Sequence, residues 1–146
     1  MLSNSCRYGI RAVIYLASQP RTAGMTGIKQ ISKDLELPTP FLAKILQELA
    51  KQKILLSSKG PHGGFSLLKD ARKIKLIDIV KAIDGDEFFT NCVMHSGPCG
   101  GKRNHKKYCS LHEDYQKIRE NLIDLFGKKT IYELVQSSGN SELISI

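Results

Sequence analysis

Thr26-Gly-Ile-Lys-Gln-Ile-Ser-Lys-Asp-Leu-Glu-Leu-Pro-Thr-Pro-Phe-Leu-Ala-Lys-Ile-Leu-Gln-Glu-Leu49 is the stretch on which the fold turns. Thr26 can cap a short helix whose apolar side is Ile28, Ile31 and Leu35. Glu36-Leu37-Pro38 then makes a turn. Thr39 reads as a second cap with Pro40 at the first helical position, where a missing N–H costs nothing. Leu42, Ile45, Leu46 and Leu49 follow at i, i+3, i+4 and i+7, the single buried face of a second helix. Two short helices joined by a tight turn predict a helix-turn-helix, although any small helical bundle shares this spacing.

The flanks sharpen that reading. Residues 54–58 and 65–68 are strand-like and separated by Lys59-Gly60-Pro61-His62-Gly63-Gly64, which predicts a β-hairpin wing with a glycine-rich tip. A phosphate-cradling nucleotide loop is disfavoured: no Gly-Lys-Ser/Thr follows the glycines, and no helix opens after them. Upstream, residues 5–18 predict a helix with Ile10, Val13, Ile14 and Ala17 on one face. Arg7 and Arg11 lie off that stripe, placed either for phosphates or for solvent. Downstream, residues 76–83 predict a helix with Leu76, Ile79, Val80 and Ile83 inward, ended by Gly85. Tyr115, Ile118, Leu122 and Leu125 then repeat at three, four and three residues, a seam for another helix. Such a helix packs on a second copy or folds back on its own domain. Gly127 is expected to stop it, and Thr130-Ile131-Tyr132-Glu133 reads as a capping box opening a last short helix.

Between these helices runs Cys92-Val-Met-His-Ser-Gly-Pro-Cys-Gly-Gly-Lys-Arg-Asn-His-Lys-Lys-Tyr-Cys-Ser-Leu-His112, which holds three of the four cysteines. Its glycine, proline and lysine content predicts a loop. Thiolates gathered on a loop suit an iron–sulfur cluster or zinc. Cys109 and His112 are three residues apart and share a face if a helix begins there.

The expected organisation is a winged helix-turn-helix head over residues 1–85 and a cysteine-containing loop over 86–112. A dimerisation helix with a short C-terminal helix spans 113–136, and a polar tail spans 137–146. The fold class is mainly α with a small β-hairpin wing. Of the chain's net charge of +8, +7 lies before residue 70, where ten Lys or Arg face Asp34, Glu36 and Glu48. A basic head points to a polyanionic partner, with simple solubility as the alternative. A hydrophobic fraction of 41% supports a core. No signal-peptide pattern and no membrane-length apolar run is present, so the cytoplasm is the expected compartment. Reduced thiols there favour metal or redox chemistry over disulfides.

Several motifs together resemble the Rrf family of winged-helix bacterial transcription regulators, with its IscR-, NsrR- and CymR-like branches. They are Arg7-Tyr8-Gly9-Ile10-Arg11-Ala12, Phe41-Leu42-Ala43-Lys44-Ile45-Leu46, the wing from Lys59 to Phe65, and Cys109-Ser110-Leu111-His112. The likeness covers roughly residues 5–135. It implies a homodimer built on the long C-terminal helix, two heads and a palindromic operator of double-stranded DNA. It also implies an iron–sulfur cluster, two-iron or four-iron, on Cys92, Cys99 and Cys109. The fourth ligand in IscR-like members corresponds to His112. In NsrR-like members it is an acidic residue of the first helix, where this chain has Arg7, which cannot ligate. Cys6 beside it reads as an ordinary small residue near a helix start, with a thiolate across the dimer as the alternative, and His95 and His105 lie in the same loop. The spacing Cys-x6-Cys-x9-Cys is looser than the usual loop, and residues 102–107 form a basic insert.

On the recognition helix the face opposite the apolar one carries Thr39, Pro40, Ala43, Lys44 and Gln47. Gln47 can pair with adenine, and Lys44 can reach guanine acceptors or a phosphate. Thr39 stands at a helix N-terminus, where phosphate is favoured. Lys59, His62 and Gly63 on the wing are backbone or minor-groove candidates, with Arg7 and Thr26 beside them. Each taken singly also reads as a solvated surface residue. The competing readings are a zinc-containing or metal-free regulator controlled by a partner protein, and an enzyme using the Cys/His group. Neither Cys-x-x-Cys nor a deaminase-type His-x-Glu with Pro-Cys-x-x-Cys occurs, which disfavours the enzyme.

Overall fold

The computed structural model describes residues 2–94, 97–98 and 110–137, which form seven α-helices around one two-stranded sheet. In order they are α1 (Asn4–Ser18), α2 (Ile28–Asp34), α3 (Thr39–Lys51), β1 (Leu55–Ser58), β2 (Gly64–Leu67), α4 (Leu76–Asp84), α5 (Glu87–Thr90), α6 (His112–Lys128) and α7 (Ile131–Ser137). This is the expected mainly α fold with a hairpin wing.

Helix α1 is central, packing against α3, α4, α7 and β2. Ser3 caps it, its Oγ accepting the Cys6 N–H at 3.0 Å, while the Ser3 N–H donates to Asp84 at the end of α4 at 2.9 Å. Ala12, Val13, Ile14, Tyr15 and Leu16 are buried. A Cβ on Gly9 would stand 2.2 Å from Ile83 Cδ1 and 3.3 Å from Ile45 Cγ2, so the missing side chain sets how closely α3 and α4 approach α1.

Leu42, Ile45, Leu46 and Leu49 of α3 are buried with Ile31, Leu35 and Leu37, closing the helix-turn-helix core. Truncating such a residue to Ala typically costs about 2–5 kcal/mol. The turn itself uses Glu36 at a φ of 53° and a Leu37 N–H donating to Ser32 O at 3.0 Å. Both expected caps fall elsewhere. Gly27 precedes α2, while Thr26 pairs through its backbone with Phe65, in an antiparallel bridge of two 2.9 Å bonds. The open edge of β2 supplies a better partner for that backbone than the helix start does. Pro38 stands at the N-cap of α3, Thr39 is its first residue and Pro40 its second.

The wing pairs Leu55 with Leu67, Leu56 with Ser66, Ser57 with Phe65 and Ser58 with Gly64. Leu55 and Phe65 turn into the core. Gly64 has a φ of 150°, and a Cβ there would lie 2.2 Å from the Thr26 carbonyl oxygen. The Thr26–Gly27 backbone against it leaves no room for a side chain.

Beyond α4, Gly85 ends the helix at a φ of 76°. Residues 87–90, expected as loop, form α5, because Phe89 is buried and stacks edge-on against Phe88 and Phe126. Helix α6 carries Gly127 inside it and ends one residue later. The capping box of α7 forms as expected: Thr130 N–H donates to Glu133 Oε2 at 2.8 Å, and Glu133 N–H to Thr130 Oγ1 at 3.2 Å. The Thr130 N–H and hydroxyl, both donating to the Glu133 carboxylate, hold it below its usual range. The α6–α7 link is tied to the start of α4, with Leu76 N–H on Lys129 O and Ile131 N–H on Ile74 O, both at 2.9 Å. Helix α7 then packs on α1, burying Ile131.

Gly64→Ala is expected to destabilise the fold by roughly 2–3 kcal/mol, read as a lower urea midpoint at constant slope. An unchanged midpoint would mean that the Thr26 contact yields at no cost.

Candidate functional site

The outward face of α3 exposes Pro40, Lys44 and Gln47, with Thr39 and Ala43 half-buried at its margin. Thr39 is committed to the turn. The Ser32 Oγ donates to the Leu37 carbonyl, so its 2.8 Å contact with Thr39 Oγ1 is one in which Thr39 donates. That hydroxyl proton fastens α2 to α3 and is not available to a phosphate. Lys44 and Gln47 are a turn apart on one exposed ridge, the arrangement a groove-reading helix needs. Tyr8 of α1 meets Phe41 edge-on at 5.7 Å, which sets the start of α3 against α1.

Lys59 and His62 are exposed on the wing. Gly63 is there for the backbone, since a Cβ would sit 2.3 Å from the Ser58 carbonyl oxygen. Thr26 serves the wing through its backbone bridge, leaving its half-buried side chain as the part that can face a partner. On α1, Arg7 is exposed, whereas Arg11 Nη2 donates to Leu35 O at 3.3 Å and holds the end of α2. Asp34 is likewise used internally: Gln30 and Tyr15 donate to its carboxylate, which lowers its pKa. Lys29, Lys33, Lys44, Lys51, Lys53 and Lys59 are all exposed, so the head carries solvent-facing positive charge.

Of the four metal-ligand candidates, Cys92 and His112 are described. Cys99 and Cys109, like His95 and His105, lie outside the described residues. Cys92 leaves α5 on a pinned turn: its N–H donates to Gly97 O at 2.9 Å, and Asn91 pairs with Pro98. Its Sγ accepts the Met94 N–H at 3.4 Å. His112 is the first residue of α6 and half-buried. Cys92 and His112 thus stand at the two feet of the cysteine stretch, one at each helix.

Cys6 has the surroundings of an ordinary small residue near a helix start, not those of a ligand across the dimer. It is 0% exposed, packed with Val80 and Phe89 of its own chain. Burial first, and then the charge of Asp84 and a hydrogen bond to it, push its thiol up to about 12. A protonated, enclosed sulfur cannot reach a metal held on another subunit.

Helix α6 has two faces. Phe126 packs on Phe88 and Phe89, and the Arg119 side chain is buried beside α5. Arg119 Nη2 donates to Asn91 O at 3.1 Å, and Nη1 to Gln116 Oε1 at 3.2 Å. Reading the sequence missed this residue, because an Arg at a seam-flanking position carries the signature of a solvated one. Leu111, Ile118 and Leu125, seven residues apart, are 45%, 62% and 55% exposed. Half of the expected seam therefore faces outward, with Tyr115 and Leu122 half-buried beside it.

The sequence matches the family described as Rrf2, iron-dependent transcriptional regulator, over residues 2–137. An HTH-type transcriptional regulator of Aquifex aeolicus is 30% identical over 135 residues, 92% of this chain and 91% of the relative. IscR of Klebsiella pneumoniae is 27% identical over 145 residues, 99% of this chain and 83% of the relative. Among solved structures, CymR of B. subtilis superposes with a TM-score of 0.76 at 20% identity, over 94% of this chain and 98% of that one. IscR of T. potens does so with a TM-score of 0.73 at 19% identity, over 100% and 91%. The chain belongs to the Rrf2 family: it is a winged-helix transcription regulator and not an enzyme. Among the described residues no helix is long and apolar enough to cross a membrane.

For Cys6 the sign of the pH effect follows. Its folded pKa lies above that of the unfolded thiol, near 9, so its contribution is complete below pH 9 and is lost as pH rises toward about 12. At pH 8 iodoacetamide should leave Cys6 unmodified in the native chain and label it in urea, as mass spectrometry would read. Native labelling would place the thiol at the surface.

Proposed function

We propose that this regulator acts as a homodimer on a palindromic operator, and that its grip is set by an iron–sulfur cluster held by Cys92, Cys99, Cys109 and His112. The observation that carries the reading is the pair of fixed feet. Cys92 sits on a turn pinned by Gly97 and Pro98, and His112 opens α6, with the other two thiols in the sequence between them. The donor set fits such a group: soft sulfurs with one imidazole, and an N–H contact from Met94 on Cys92 Sγ of the kind that supports a metal-bound thiolate. When bound, a two-iron cluster supplies a centre sensitive to oxidants and nitric oxide, with a potential raised by histidine ligation.

The chain's own residues carry the consequence. Phe88 and Phe89 clamp α5 to Phe126, and Arg119 holds Asn91, so the turn bearing Cys92 moves with α6. The exposed strip Leu111, Ile118 and Leu125 is the surface on which a second copy seats. Changing the pitch of that seam changes the separation of the two heads, and a half-site spacing of about 34–36 Å tolerates little error. In each head Gln47 and Lys44 face the major groove, while Lys59 and His62 rest on the backbone beside it.

Anaerobically purified protein should be brown, with matched iron and sulfide, and Cys99→Ala should be colourless. Zinc in their place would overturn the cluster and leave the loop a structural clip. On duplexes selected from random sequence, Gln47→Ala should weaken specific binding by about 1–3 kcal/mol. Lys44→Ala should lower the salt slope by about 1 if it meets a phosphate. Unchanged affinity for both would place the groove contact elsewhere. Ile118→Lys should shift the dimer to monomer in light scattering; a persistent dimer would move the interface off α6.

A further inference from the structure

Arg119 is only 8% exposed on a helix that otherwise shows much of its surface to solvent. Its guanidinium donates to Asn91 O and Gln116 Oε1 and lies 5.0 Å from the centre of the Tyr115 ring. Its Nε–H is buried with no acceptor among the described residues, and no carboxylate there stands in ion-pair range. A cation taken out of water without a counter-anion is strongly unfavourable, so this arrangement calls for a negative group.

The sequence narrows the choice. Between Glu87 and Glu113 there is no aspartate or glutamate. In that stretch the groups able to supply negative charge are the thiols of Cys92, Cys99 and Cys109, once a bound metal draws off their protons. Arg119 is also one peptide from the first of them, since the Asn91 carbonyl it holds is bonded to the Cys92 nitrogen. A metal centre with three thiolate ligands is a net anion, and reduction makes it more so.

We infer that Arg119 is the counter-charge of the cysteine centre and the tether that passes its ligation state to α6. This rests on the cluster reading above. The positive charge holds the reduction potential up and slows loss of the metal, while the bond to Asn91 keeps the Cys92 turn in register with the helix. In the metal-free chain the same guanidinium is a buried cation with no counter-anion among the described residues.

The test uses the full-length wild type, Arg119→Gln, which keeps a donor for Asn91 without the charge, and Arg119→Lys, which keeps the charge without the fork. Each is loaded anaerobically with iron and sulfide. Dye-mediated titration followed by absorbance gives the midpoint potential, and transfer of iron to a chelator gives the release rate. Arg119→Gln should show a more negative potential and release iron about tenfold faster, with Arg119→Lys keeping a near-wild-type potential. The metal-free Arg119→Gln chain should melt no lower than metal-free wild type, an order that a merely structural arginine would reverse. Wild-type potential in Arg119→Gln, equal shifts in both variants, or a lower melting temperature in the metal-free Gln variant would each overturn the inference while leaving the cluster in place. A change confined to dimer dissociation would overturn it too, pointing to a carboxylate of a second copy as the counter-ion. Wild type that takes up no iron and sulfide would fail one step earlier, overturning the cluster reading and this inference with it.

Discussion

Two backbone hydrogen bonds, Leu76 N–H to Lys129 O and Ile131 N–H to Ile74 O, bind the C-terminal helices to the head. They decide where α6 must end, and so what the cysteine stretch can be. With α5 clamped to α6 by phenylalanines and the end of α6 tied to the start of α4, the stretch after Cys92 leaves and returns at two fixed points. A loop whose ends are already placed has part of its closure entropy removed, which favours gathering distant ligands on it. The same tie makes head and long helix one packed body, with α7 on α1 and α6 on α4.

The head follows a second constraint, the absence of side chains at a few places. Gly9 lets α1 approach α3 and α4. Gly64 lets the Thr26 backbone join the wing, and Gly63 turns the tip beneath Ser58. At Gly63 and Gly64 the requirement comes from neighbouring backbone, and at Gly9 from the side chains of Ile83 and Ile45. Among the described residues, the exposed side chains of Lys44, Gln47, Lys59 and His62 make no hydrogen bond or ion pair to the scaffold. Thr39, Gly63 and Arg11 serve the scaffold.

Much of this was legible in the residues. The four-residue apolar face of α3, the hairpin and the Thr130–Glu133 box are local patterns whose physics is contained in a few consecutive positions, and the structure reproduces them. The errors share one cause. Thr26 and Thr39 look like caps because their own segments offer nothing better, yet each finds a partner far along the chain or across the turn. Residues 87–90 look like loop because the burial that makes α5 a helix comes from Phe126.

By itself, then, the order of the amino acids determined the periodic helices, the turn types, the basic head and the concentration of thiols in an acid-free stretch. Those depend on spacing and composition along the chain. Only the tertiary structure decided which polar groups are consumed internally and which remain for a partner, and that Arg119 is a buried cation beside the cysteine turn. Burial and hydrogen-bond satisfaction are properties of what packs against a group, and that is fixed by residues distant in sequence.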